Sequence, residues 1–287
     1  MPTRPTRVRA VSRQHPDEPV IAEAAAVLRA GGLVVFPTET VYGLGANALD
    51  AAAVAGIFTA KGRPSTDPLI VHVRGLQDVG SVAREVPPIV AMLAERFWPG
   101  PLTLVVEKQP VVPDIVTAGL PTVAIRVPAH PVALALLRAA GCPIAAPSAN
   151  PFGRISPTTA EHVREQLGDK VDLILDGGPC RVGVESTVLS LVETTPVLLR
   201  HGGVPVEELE AVIGPIAIAT SSDDDAPQQG PGMLTQHYAP RTPLEIVTDW
   251  STVSGGPDVG VLTLQECERK REFGAVEVLS PAGDLTE

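Results

Sequence analysis

The sequence predicts an α/β protein built on an open, twisted sheet of mixed strand direction with flanking helices. Three observations lead there. Short apolar runs such as Leu33–Phe36 and Leu69–Val73 intermingle with alanine- and leucine-rich segments of helical length, without strict βαβ alternation. Polar, glycine-rich stretches follow or border several of those runs, where strands of an open sheet would surface. With 287 residues at 44% hydrophobic, the chain can bury a sizeable core in one large or two modest domains.

Each element has its own local signals. Pro19–Ala30 (PVIAEAAAVLRA) reads as a helix stopped by Gly31 and Gly32, and Leu33–Phe36 as the strand after it. Asp50 caps a helix over Ala51–Ala60 that leads into Lys61–Pro64 (KGRP). Leu69–Val73, Leu102–Val106 and Thr122–Val127 are strands, and Pro87–Phe97 is a helix ended by the WPGP turn from Trp98. His130–Ala140 is a helix with proline in its first turn and Gly141 just beyond, and Pro143–Ala146 is a short strand opening onto Pro147–Asn150 (PSAN). Thr158–Glu161 (TTAE) has capping-box spacing and starts a helix through Leu167. Val171–Leu175 is a strand, Thr187–Val192 and Val197–Arg200 form a hairpin about the ETTP turn, and Val204–Ile213 is a last helix. From there the texture changes: Ser221–Gly232 is acidic and Pro/Gly-rich, a linker, and Thr242–Glu287 has strand-like pieces at Leu244–Val247 and Val259–Leu264. The expected organisation is a main domain over 1–213, a linker over 214–241 and a short C-terminal segment over 242–287, small for an independent domain without staples.

Composition removes several function classes. No apolar run approaches the ~20 residues of a membrane span, and the N-terminal MPTRPTRVRA lacks the apolar core of a signal peptide, so it reads as a flexible basic lead-in to a cytoplasmic protein. Cys142, Cys180 and Cys267 are odd in number with no C-x-x-C spacing, and the six histidines show no metal-ligand spacing; no metal site is expected. Of the net charge of −11, residues 1–206 contribute none, with 18 basic and 18 acidic residues, while 207–287 hold 4 and 15. A balanced main body argues against general or strong direct nucleic-acid binding but permits a local basic pocket.

Four polar segments could line such a pocket: Thr38–Gly45, Lys61–Asp67, Ser148–Ser156 and Gly183–Thr187. Lys61 and Arg63 flank a glycine and suit triphosphate oxygens, one as a point charge and one as a fork of donors. Taken singly, such segments read first as turn chemistry or a solvated helix end. Arg126 lies inside an apolar strand, where an unpaired guanidinium is costly, so it reads as functional rather than decorative. His72 on a similar strand reads, by itself, as a satisfied core histidine.

In order along the chain, PTETVYGLG from Pro37, KGRPSTDPLIVH from Lys61, PGPLT from Pro99, TVAIR from Thr122, APSAN from Ala146, GVEST from Gly183 and the pair Leu199-Arg200 resemble the YrdC-like family, and PGMLTQHYAP after Gly230 resembles the linker of its long, two-domain members. The resemblance covers about residues 15–213. It implies a YrdC-like sheet and the synthesis of L-threonylcarbamoyl-AMP from L-threonine, bicarbonate and ATP, Mg2+ accompanying the nucleotide, for t6A modification of tRNA by a downstream threonylcarbamoyl transferase machinery. By the same resemblance Thr40, His72, Arg126 and Ser186 bind threonine, with Ala146 through its backbone. Arg63, Asp67, Thr122, Ser148, Asn150, Ser156 and Arg200 bind ATP, Tyr238 arrives from the linker, and Lys61 and Arg63 carry catalysis beside the phosphates. Gly43 and Gly45 would leave room for the amino acid. Two departures stand out: Asp67 occupies a position where many members carry a neutral Asn or His, and the region after Thr242 is shorter than the C-terminal domain of two-domain members, as in a truncated form or a member that has lost that domain. The absence of a G-x-x-x-x-G-K-[ST] loop and of an evident nucleophile accords with adenylyl transfer by positioning and charge. The alternatives are a carbamoyl-adenylate-forming or O-carbamoyl-transferring enzyme fed by carbamoyl phosphate, and a non-catalytic RNA-binding module, the latter disfavoured by 3% aromatic content.

Overall fold

In the computed structural model the described residues are 6–219, 227–233, 242–249, 252–266 and 270–283. In chain order the elements are β1 (Arg7–Ala10), α1 (Glu18–Arg29), β2 (Val34–Phe36), β3 (Gly43–Asn47), α2 (Ala51–Lys61), β4 (Ile70–His72), α3 (Pro88–Phe97), β5 (Leu102–Glu107), β6 (Thr122–Arg126), α4 (Pro131–Ala140), β7 (Ile144–Ala145), α5 (Ala160–Leu167), β8 (Leu173–Asp176), β9 (Thr187–Ser190), β10 (Val197–Arg200), α6 (Val206–Ile213), β11 (Ala217–Ile218), β12 (Gly256–Thr263) and β13 (Phe273–Val278). The first eleven strands make one mixed sheet in the order β1-β8-β2-β3-β7-β4-β6-β5-β9-β10-β11.

Strand alternation distributes apolar side chains to both faces. On one face Val35, Leu44, Val71, Leu104, Ile125 and Ile174 pack with α2, α3, α5 and α6. On the other, Val34, Phe36, Leu173 and Leu175 are covered by α1 and α4. Farther along that second face, Ile70, Val105, Ala124, Val188 and Leu199 form a separate cluster on which Met233 of the chain after α6 packs. The helix-free half of this face is where the polar loops gather.

The local signals act as chemistry requires. The Asp50 carboxylate accepts from the N–H groups of Ala52 and Ala53 and so caps α2. Gly62 closes that helix at φ +63°, and Gly141 closes α4 at φ +68°. His130 is the cap of α4 through Nδ1, which accepts from the Val132 N–H, rather than its first residue. The cap of α5 is Thr159, whose hydroxyl accepts from His162 N–H at 3.2 Å, not Thr158: the cap lies one residue later, which leaves Glu161 in the first turn.

Three expectations are corrected. Within the basic lead-in, Arg7–Ala10 is a strand, parallel to β8, with Arg7 and Arg9 both hydrogen-bonded to Glu23 of α1. The edge of β8 supplied backbone partners that local composition could not announce. The polar stretch from Pro37 is not loop throughout, since Gly43–Asn47 is β3, antiparallel to β2. A Cβ on Gly45 would come within 2.8 Å of Phe36 Cε1 and 2.9 Å of Ile144 Cγ2, so that glycine serves strand packing.

Met1–Pro240 and Arg241–Glu287 form two compact units. In the second, β12 and β13 pair in parallel. Leu244–Val247 has no strand, contrary to expectation, and Phe273–Val278 forms one that the sequence pattern did not indicate.

Candidate active site

The register of four strands sets the floor of the site. His72 of β4 lies opposite Arg126 of β6, and Arg126 lies opposite Thr103 of β5. These three side chains stand on the helix-free half of the face. The neighbouring strand β9 begins just after Ser186, whose hydroxyl is 2.7 Å from that of Thr103. All four polar segments named from the sequence contribute to one cavity.

Thr40, His72, Arg126, Ala146 and Ser186 all line this cavity. The Arg126 guanidinium is already paired. Its Nη2 donates to Glu39 Oε1 at 2.6 Å and to Thr40 Oγ1 at 3.0 Å, and its Nε donates to the Gly100 carbonyl at 3.2 Å. Gly100 belongs to the WPGP turn; a Cβ there would sit 2.3 Å from the Phe97 carbonyl oxygen. Glu39 Oε2 accepts from the Ala129 N–H at 2.9 Å. Burial raises the Glu39 pKa, but the Arg126 charge and the donated hydrogen bonds outweigh it and hold the carboxyl below its ordinary value. Burial, reinforced by Arg126, pushes His72 down to about 3, so the imidazole is neutral. Its ring meets Phe36 edge-on at 6.1 Å, and its Nδ1 has no protein partner.

The hydroxyls of the opening stretch act locally as well. Thr38 Oγ1 donates to the Val41 carbonyl and accepts from the N–H groups of Thr40 and Val41. That closed turn aims Thr40 at the cavity and places Glu39 behind Arg126. Gly43 lines the cavity, as expected.

The cavity holds two further arginines. Arg63, Ser148, Glu185 and Arg200 line it, with Pro231 and Gly232 from the linker. Arg63 pairs with Asp67 at 2.8 Å and donates to the carbonyls of Asp67 and Pro68. Asp67 Oδ1 also accepts from the Gly232 N–H, while its buried Oδ2 has no partner among the described residues. The carboxylate that the resemblance gave to ATP therefore joins the KGR loop to the linker and does not itself line the cavity. Arg200 donates from Nε and Nη2 to the Ser186 carbonyl and from Nη1 to the Pro231 carbonyl. Burial lowers it to about 10. Ser156 Oγ donates to Glu185 Oε1.

Some candidates do not face the cavity. Lys61 is 3% exposed, and its Nζ donates to the carbonyls of Ser148 at 2.6 Å and Asn150 at 2.5 Å, so it braces the PSAN loop from behind. Burial and then the nearby Arg63 push its pKa well down. Asn150 donates to the carbonyls of Pro151 and Arg154, with its buried Oδ1 unpartnered. Thr122, at the start of β6, borders Pro68 and Gln229 instead. Tyr238 lies outside the described residues, as do Asp223–Asp225 and Cys267. The residues missed from the sequence are Glu39, Thr103 and Glu185. A carboxylate within PTETV was available as the partner that a guanidinium in an apolar strand demands.

A family model described as "Telomere recombination", covering the Sua5, YciO and YrdC proteins, matches residues 26–202. The chain belongs to this family. A second model, described as "Threonylcarbamoyl-AMP synthase, C-terminal domain", matches residues 204–287. The chain is 53% identical over 239 residues to the threonylcarbamoyl-AMP synthase of Pyrococcus abyssi, covering 82% of this chain and 70% of that protein. It is 50% identical over 263 residues to the enzyme of the same name from Bacillus subtilis, covering 87% and 75%. A crystal structure of P. abyssi Sua5 complexed with L-threonine superposes with a TM-score of 0.79 at 52% identity, covering 82% of this chain and 69% of that one. The structure of E. coli YciO follows at a TM-score of 0.65 and 27% identity, covering 71% and 99%.

Proposed function

We propose that this family member condenses L-threonine, bicarbonate and ATP to L-threonylcarbamoyl-AMP, pyrophosphate and water, in the cytoplasm, for t6A modification of tRNA by a downstream transferase machinery. The observation that carries this function is identity of 53% and 50% to two threonylcarbamoyl-AMP synthases. The threonine amine combines with bicarbonate to give a carbamate and water. The carbamate oxygen then attacks the α-phosphorus, and pyrophosphate leaves.

The geometry supports a division of labour. Arg126, with Thr40, Ser186 and the neutral His72, offers donors and a fixed charge to the zwitterion, and the Ala146 backbone closes that end. Arg63 and Arg200 face the phosphates, with Ser148, Asn150, Ser156 and Tyr238 assigned to the same nucleotide and Thr122 to its far end. Lys61 acts by holding the Ser148 and Asn150 carbonyls as well as by its charge. Such a site works by in-line positioning and charge stabilisation, with no covalent intermediate on the protein.

Among the described residues no group of three or more His, Cys, Asp or Glu could hold a metal ion. Mg2+ needs only one or two carboxylates besides phosphate oxygens and water, and the unpartnered Asp67 Oδ2 and Glu185 fit that requirement. Bound there, the ion would offset charge on the leaving phosphates.

Pyrophosphate release that requires threonine, bicarbonate and ATP together tests the function. Turnover with carbamoyl phosphate in place of bicarbonate and threonine would establish the alternative chemistry instead.

A further inference from the structure

We propose that Glu39 is a positioning residue for amino-acid recognition: it grips the Arg126 guanidinium from behind, leaving the remaining edge for the substrate carboxylate. This deepens the proposed function and rests on it.

Glu39 is 3% exposed and does not line the cavity, whereas Arg126 does. Both Glu39 oxygens are committed, one to Arg126 Nη2 and one to the Ala129 N–H, so the carboxylate is itself fixed before it fixes anything else. On the guanidinium, Nε and Nη2 are bound by Gly100, Glu39 and Thr40. Nη1 takes no part in those bonds and is the group left to donate to a carboxylate. An arginine on a flexible stem would lose rotamer freedom each time it met a ligand; one clamped at two of its three nitrogens does so only during folding.

The pair also sets the charge of this end. With Glu39 ionised and His72 neutral, the pocket floor carries no net charge before substrate arrives. A carboxylate accompanied by its own ammonium is then accommodated on more equal terms than a dianion or a phosphate. This separates the amino-acid end from the more cationic end around Arg63 and Arg200.

The test uses the full chain and three variants: Glu39→Gln, Arg126→Met, and the two combined. Threonine KM and kcat are measured at saturating ATP and bicarbonate, with ATP affinity by calorimetry. A glutamine retains one acceptor for Arg126 but turns an amide N–H toward Ala129, so the clamp slackens. We expect the threonine KM to rise about 10-fold or more in Glu39→Gln, with kcat and ATP affinity changed less than about 3-fold. In the Arg126→Met background the same change should leave KM within about 2-fold, because a residue that acts through Arg126 has nothing left to hold. If Glu39→Gln does not fold, Glu39→Asp, which keeps the charge, is measured in its place. An unaltered threonine KM in the single variant, or an equal rise in both backgrounds, overturns the positioning role. An unmodified chain without threonine-dependent turnover removes the functional proposal itself, a result distinct from either.

Discussion

Two buried guanidinium–carboxylate pairs each contribute their arginine to the same cavity, and they are built differently. In Arg126–Glu39 both carboxylate oxygens are satisfied, by Arg126 and by Ala129. In Arg63–Asp67 one oxygen receives both Arg63 and the Gly232 N–H while the other is buried without a partner. The first is a finished fixture that presents a fixed donor edge. The second has an acceptor still unspent and is tied to the linker through the Gly232 N–H. A buried ion pair is therefore no single kind of object; the count of satisfied oxygens decides whether it serves as scaffold or as reserve.

Four measurements would break or sharpen that contrast. Arg126→Met should have the largest effect: it strands the Glu39 carboxylate, and urea denaturation should record a loss of about 3–5 kcal/mol. A loss below about 1 kcal/mol would mean that the pair is not the fixture described.

Next, Lys61→Ala and Arg63→Ala should each lower adenylate formation by ~1.5–3 kcal/mol in kcat/KM while sparing threonine binding. Calorimetry in which threonine affinity collapsed and ATP affinity held would reverse the assignment of the two ends.

The third concerns pH. His72 titrates near 3 in the folded chain and near ~6.5 unfolded, so the unfolded state takes up the proton first as pH falls. Stability should be undiminished by this group above pH ~6.5 and should fall below it by up to ~1.4 kcal/mol per pH unit. Glu39, whose folded value is depressed, adds loss in the same direction only below its ordinary range. Between pH 7.5 and 5 the expected loss attributable to His72 is about 2 kcal/mol. A His72→Gln variant with the same pH slope would place the effect elsewhere.

The finest test compares Glu39→Gln with Asp67→Asn. The glutamine amide would confront the Ala129 N–H, donor against donor, at a cost of about 1–3 kcal/mol. The asparagine can keep its oxygen toward Arg63 and Gly232 and sets no donor directly against a donor, so its cost should be the smaller of the two. Equal destabilisation of the two would erase the difference between the pairs.

Much of the fold was legible because its signals are local. Asp50 with its following helix, Gly141 past a helix end, and the hairpin about Glu193 each act within a few residues of chain. The membership of the cavity was legible through motifs, since Thr40, Arg63, Arg126, Ser148, Ser186 and Arg200 sit in recognisable stretches. The direction of each side chain was not. Lys61 looked like a phosphate ligand because a lysine beside Gly62 and Arg63 has that chemistry, yet its ammonium turns inward to two carbonyls 87 and 89 residues away.

What the sequence determined by itself, then, are the elements whose energetics close over a single turn: caps, glycine stops, apolar runs of strand or helix length, and the residue types gathered at strand ends. The tertiary structure alone decided that Arg7–Ala10 becomes a strand, because its partner β8 lies some 166 residues on in the register of Arg7 with Leu173. It alone decided that Glu39 belongs to Arg126, because β4, β5 and β6 had first to bring that arginine's face beneath a loop 87 residues earlier. A capping hydrogen bond requires only neighbours, whereas a buried charge requires a counter-charge wherever folding delivers one, and no local pattern specifies where that will be.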